Sequence, residues 1–217
     1  MPAVTFVGTC RLIRRDLREH KLFFRRNPWW NEGVSAFAHP GWISVFIYRF
    51  VRYFHHKPGL RIVARLLYLV NLFLTKSEMA PASDLGGGFV VVHPSGNIIA
   101  SANAGENCVL VGGGLGGAGG KKDIGAGPGQ PALGNRVFFG RQGFCLGAFR
   151  IGDGAKVGPK CFVHRDIEPG EFLPAEVDDL TARKVLKGRR DASVLDENYH
   201  APIRVVMAEK TEGNDGR

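Results

Sequence analysis

The chain has 217 residues, 44% of them apolar, which is enough to bury a sizeable core in one domain or in one domain with an arm. Its formal net charge of +9 calls for a partner bearing negative charge, and nucleic acid, anionic lipid and a phosphorylated cosubstrate all qualify. The four cysteines, Cys10, Cys108, Cys145 and Cys161, form no C-x-x-C pair and no Cys/His cluster at zinc spacing, so reduced thiols are expected in place of a metal module or a disulfide framework.

The first seven residues lack the charged start of a signal peptide. No uninterrupted apolar run reaches the ~18 residues of a spanning helix. Residues 9–26 read as a basic helix or helix pair, stopped by Asn27-Pro28. Pro40-Gly41 opens a second helix. Its residues Ile43, Phe46, Ile47, Phe50, Val51 and Phe54 fall on one apolar stripe, with Arg49 and Arg52 off it. The run His55-His56-Lys57-Pro58-Gly59 is a stop signal. A third helix is expected from about Leu60 to Leu74, apolar nearly all round except Arg61, Arg65 and Asn71. This basic region, 1–77, is rich in aromatic residues, Trp29, Trp30 and Trp42 among them. Two readings stay open for it. One is a helical cap that packs its stripe on other helices or on the rest of the chain. The other is an arm lying on an anionic membrane. Nucleic acid is not expected, because no recognition motif accompanies the charge.

From Leu85 the pattern changes. Leu133, Phe139, Cys145, Ile151, Val157 and Val163 recur every six residues, the sign of a parallel β-helix. Each unit reads as one short strand and a corner, three units to a triangular coil. The same beat runs earlier through Leu85 and Val91, and through Ile99, Gly105 and Val111. Two extra residues separate Val91 from Ile99, at His93-Pro94-Ser95-Gly96, so the coil bulges where the histidine sits. The glycine-dense stretch Gly112–Gln130 is expected to be a mobile excursion from the coil. After the β-helix domain, 78–174, a short helix over 179–187 and a frayed tail make up 175–217.

Four stretches, EMAPASDLGGGFVVVHPSG, GGLGG, QPALGNRVFFGRQ and IGDGAKVGPKCFVHRDIEPG, resemble the serine acetyltransferase branch of the hexapeptide acyltransferases. The resemblance implies a left-handed β-helix, an exception to the usual crossover hand. It also implies a homotrimer with active sites between neighbouring coils, and acetyl-CoA as donor. The family's general base falls on His93 and its supporting carboxylate on Glu78. Three positions depart from the family. Val92 stands where it has an Asp, Gly129-Gln130 where it has Arg-His, and Glu78-Met79-Ala80-Pro81 where it has D-I-H-P. The donor half of the site is kept and the acceptor half altered.

A histidine suits proton abstraction from a hydroxyl near neutral pH, and N–H groups within Gly112–Gly117 are candidates to steady the oxyanion. Gly116, Gly117 and Gly140, with the cations Arg141, Lys156, Lys160 and Arg165, are the candidates for binding acetyl-CoA. No metal is expected. A γ-type carbonic anhydrase needs several histidines at metal spacing, and the repeats hold only His93 and His164. The GGGLGGAGG run lacks the strand–GxxxxGK[ST]–helix pattern of a phosphate loop. The sequence therefore predicts a cytoplasmic acetyl-CoA-dependent O-acetyltransferase, possible contact with the inner face of the membrane included. A saccharide or glycan precursor is its expected acceptor. The alternatives are a serine O-acetyltransferase and a non-catalytic β-helix scaffold.

Overall fold

A computed structural model describes residues 4–25, 35–118 and 122–174. The expected helix over 179–187, the tail, Trp29, Trp30 and Lys121 lie outside the described residues.

Thr5 starts the first helix. Its hydroxyl accepts the Gly8 N–H at 3.0 Å, and α1 runs Phe6–Phe23, beginning ahead of the expected residue 9. A single turn, α2 (Ser35–Ala38), leads into α3 (Pro40–His55). Pro40 sits where a missing N–H costs nothing, and Nδ1 of His39 accepts the Gly41 N–H at 3.0 Å. The last helix, α4 (Arg61–Thr75), ends at Lys76 in left-handed conformation, φ 58°.

The buried face of α3 is not the expected stripe. Gly41, Trp42, Ser44, Val45, Tyr48, Arg49 and Arg52 are buried together with Val51 of the expected stripe, while Phe46 is exposed and Ile43, Ile47, Phe50 and Phe54 are half-buried. Two features turn the helix this way. A Cβ on Gly41 would overlap the Val91 carbonyl, so glycine lets the helix start lie directly on the β-helix. Corner carbonyls of the first coil also need donors. The Arg49 guanidinium reaches the carbonyls of Leu85 and Gly86 at 2.5 and 2.6 Å and pairs with Asp16 at 2.8 Å. Asp16 in turn accepts the N–H groups of Gly88 and Phe89. Arg52 donates to the Ser83 carbonyl and pairs with Asp84 at 2.9 Å.

Beyond α4 the chain winds as a left-handed parallel β-helix with three flat sides. One side stacks β1 (Glu78–Met79), β4 (Ile98–Ile99), β7 (Gly113–Gly116), β10 (Gly143–Leu146) and β13 (Phe162–Val163). The second stacks β2 (Asp84–Leu85), β5 (Asn103–Ala104), β8 (Ala132–Leu133) and β11 (Arg150–Ile151). The third stacks β3 (Val90–Val91), β6 (Val109–Leu110), β9 (Phe138–Phe139), β12 (Lys156–Val157) and β14 (Phe172–Leu173). The six residues of the later beat are all buried, in register down the coil.

The earlier beat needs correction. Ala104 and Leu110 point inward in register with Leu133 and Phe139, in place of Gly105 and Val111. Gly105 has no side chain to fill the interior, so this side is one residue shorter. Val111 packs outside the coil with Val90 and Val92, against Phe24, Val109 and Phe138. The glycine-dense stretch also differs from expectation. Gly113–Gly116 is a regular strand, with Leu115 in register between Ile99 and Cys145. The excursion begins after it, and Asp123 shapes its turn by accepting the N–H groups of Gly125 and Gly127.

Candidate active site

The insertion after β3 is a short detour held by hydrogen bonds at both ends. The His93 N–H continues the sheet ladder to the Val111 carbonyl at 3.0 Å. Pro94 and Asn97 close a turn through Gly96, which has φ 79°. Asn97 is buried and anchors the return. Its Oδ1 accepts the Gly113 N–H at 2.7 Å, and its backbone carbonyl accepts the Glu78 N–H at 2.8 Å. The detour leaves the His93 side chain exposed on a rigid frame.

His93 opens onto a cleft of 420 Å³, shared with Ser95, Gly96, Gly112, Gly113, Arg141, Gln142 and Phe144. The floor is bare backbone because coils three and four nearly touch there, and a Cβ on Gly113 would overlap the Gly143 carbonyl. Gln142 takes φ 58° at the next corner, and its N–H donates to the Gly112 carbonyl. That turn aims Arg141 at the cleft. Partial burial first, and the Arg141 guanidinium second, hold the His93 imidazole below the usual histidine range. A neutral imidazole at neutral pH can accept a proton from a hydroxyl.

The fold brings the candidate side chains His93 and Arg141 together, with Gly112 and Gly113 in the same cleft. Among the described residues no contact joins Glu78 to His93. Glu78 is the outward residue of β1, beside α4, where it takes a hydrogen bond from Tyr68. Burial and then that bond raise the Tyr68 hydroxyl to about 12. Arg165 pairs with Glu171 at 2.6 Å, which leaves its charge matched within the protein. Lys156 and Lys160 stand exposed on the fourth coil. Gly140 lies at a close pass between coils, Gly116 is buried within β7, and the Gly117 N–H donates to Ser101 Oγ at 3.2 Å. The N–H groups of Gly113 and Gly117 are therefore already engaged, which removes both from the oxyanion candidates.

Sequence reasoning missed Asn97, Gln142 and Phe144. An asparagine closing the insertion and a non-glycine residue before Gly143 at a corner were the available signals. It also missed two buried histidines behind the site. The rings of His20 and His39 lie 4.4 Å apart, with Phe24 against both. Burial first and the charge of His93 second lower His39 to about 4, while burial and then His39 lower His20 to about 3.

No family model matches the chain. It is 32% identical to a serine acetyltransferase of Helicobacter pylori over 147 residues, 67% of this chain and 81% of that one. It is 28% identical to a serine acetyltransferase of Synechococcus elongatus over 151 residues, 69% of this chain but only 60% of the longer relative. Serine acetyltransferase from Neisseria gonorrhoeae superposes with a TM-score of 0.65 at 24% identity, over 76% of this chain and 62% of that chain, a likeness of fold. The soybean apoenzyme gives 0.62 at 25% identity, over 73% and 64%.

Proposed function

We propose, of a chain that belongs to the serine acetyltransferase family of hexapeptide-repeat acyltransferases, that it transfers the acetyl group of acetyl-CoA to the hydroxyl of L-serine with His93 as general base. The observation that carries this reading is the cleft itself, where an exposed, rigidly mounted imidazole stands beside a cation and a bare backbone floor. The relatives favour serine over the saccharide expected from the altered acceptor residues.

In this reading His93 takes the hydroxyl proton as the serine oxygen forms a bond to the thioester carbonyl carbon. The carbon–sulfur bond then breaks, and the departing CoA thiolate recovers the proton from the imidazolium. Arg141 offers charge to the phosphates of acetyl-CoA, and Lys156 and Lys160 extend that charge along the coils. Partial burial first, and Arg141 second, favour the unprotonated form of His93. We place the reaction in a homotrimer in the cytoplasm. The four free thiols fit a reducing compartment, and Ile98, Leu146 and Phe162 expose an apolar column on one flat side that a neighbouring protomer can cover. One observation favours a second acceptor class. Val92 is buried among Val90 and Val111 where the family carries an Asp, so a charge that serves serine there has been replaced by packing.

CoA release from acetyl-CoA, measured with L-serine and with a panel of sugars and nucleotide sugars, tests the reading. Turnover with serine is expected, and turnover with a saccharide alone moves the acceptor to the second class. His93→Ala should lower kcat by about 10²–10⁴-fold and leave the oligomer intact. Unchanged turnover in that variant rejects the base. In wild type, kcat/KM should rise with pH through a midpoint below the ordinary histidine value. Arg141→Gln should move that midpoint upward and raise the KM for acetyl-CoA.

A further inference from the structure

Helix α4 is built inside out. Its buried positions are Ala64, Asn71 and Thr75, two of them polar. Asn71 donates to the Ser44 carbonyl of α3 at 3.1 Å, and the Thr75 hydroxyl donates to the Asn71 carbonyl at 2.8 Å. The large apolar residues face away. Ile62 is 75% exposed, Phe73 72%, Leu74 63% and Leu66 57%. Leu69 and Val70 complete the stripe. A helix facing water on this side would gain by the opposite arrangement. Small and polar residues turned towards a neighbouring helix, with large apolar ones turned outward, match a helix whose outer medium is hydrocarbon.

The charges around this face share one sign. From Pro40 to Ser77 the chain has six Lys and Arg residues and no Asp or Glu. Arg49 and Arg52 are used within the fold, which leaves Lys57, Arg61, Arg65 and Lys76 around α4. Arg61 and Arg65 are exposed in the first turns, where a cation opposes the helix dipole and does nothing for the helix itself. Lys76 closes the other end, its ammonium 6.0 Å from the Phe73 ring centre. The half-buried Glu78, two residues on, is bonded to Tyr68. With 15 residues α4 is about 22 Å long, too short to span. Among the described residues no helix is long and apolar enough to cross a membrane.

We propose that α4 docks the protein on an anionic bilayer surface, lying in the interface with Ile62, Leu66, Leu69, Val70, Phe73 and Leu74 among the acyl chains and Lys57, Arg61, Arg65 and Lys76 on the lipid phosphates. Charge complementarity decides for anionic lipid over a second copy of the chain, because a copy would bring the same cations to the same face.

The test is co-sedimentation of the full-length protein with phosphatidylcholine vesicles, with and without phosphatidylglycerol, at low and at high salt. Binding is expected only with phosphatidylglycerol, and salt should weaken it. Leu66→Glu/Phe73→Glu, both at exposed positions, should abolish it with helicity and oligomeric state unchanged. Arg61→Gln and Arg65→Gln should each lower partitioning about fivefold. Absence of binding at low salt overturns the proposal, as does a Leu66→Glu/Phe73→Glu variant that binds like wild type. A smaller oligomer for that variant, seen by light scattering, overturns it in favour of an interface between copies.

Discussion

Among the described residues the helical region buries charged side chains beside apolar ones, and the β-helix buries none that are charged. Inside the coil the inward positions are apolar, from Met79 and Leu85 down to Val157 and Val163. In the helical region Asp16, His20, His39, Arg49, Arg52, Asn71 and Thr75 are buried beside Trp42, Val45, Tyr48 and Val51, while much of the large apolar surface faces out. The coil stacks short parallel strands whose backbone groups satisfy one another, so its interior needs only bulk. The helices meet the coil at its corners, where unpaired carbonyls require donors, and the donors come from Arg49, Arg52 and the Tyr48 hydroxyl. One region is held by packing and the other by a bonded polar network.

Breaking the network at its centre should have the largest effect. Asp16→Ala leaves the buried Arg49 charge unpaired and is expected to cost about 3–5 kcal/mol in urea unfolding. Asp16→Leu combined with Arg49→Met should recover part of that loss, since an apolar replacement removes both charges together. In the coil, Ile151→Ala should cost about 2–5 kcal/mol through lost burial and a cavity, and Ile151→Val only about 1 kcal/mol. If the conservative change proves as damaging as Asp16→Ala, the contrast between packing and network fails.

The next effect depends on pH. His20 titrates near 6.5 when unfolded and at about 3 when folded. The unfolded chain therefore binds more protons between those values. The stability from burying a neutral His20 is complete above pH 6.5 and lost as pH falls from 6.5 towards 3, at about 1.4 kcal/mol per pH unit. His39, lowered to about 4, acts with the same sign. His20→Phe should flatten the dependence of melting temperature on pH in this window; an unchanged slope would place the acid sensitivity elsewhere. The smallest effect belongs to an exposed coil pair. Arg165→Gln, which breaks the pair with Glu171, should leave the melting temperature within error of wild type.

The same contrast explains what could be read from the sequence. Residues 133 to 163 kept their beat because each inward side chain meets its own kind one coil away, and six residues is the only information needed. The beat slipped at Gly105 and Val111 because a five-residue side differs from a six-residue one only through contacts between coils. His93 was legible as a break in a regular count. Arg141 was legible only as a basic residue among several, and its place beside His93 depends on the turn at Gln142. On α3 the apolar count favoured the wrong face, since the partner surface offered carbonyls in place of hydrocarbon. On α4 the sequence showed an apolar helix, and only the fold shows which side faces inward.

The glycine floor of the cleft has a consequence for the evolution of specificity. Gly113 cannot accept a side chain without driving coils three and four apart, and a Cβ at Gly114 would collide with the Phe144 ring. Drift at Gly113 is closed by backbone, whereas Gly114 is tied to the side chain at Phe144, so the floor at Gly113 stays the same while the rim changes. A new acceptor must be accommodated from Ser95 and Phe144, which line the cleft from a turn and an outer strand face. The fold thus divides the site into a part that is inherited and a part that is free to diversify.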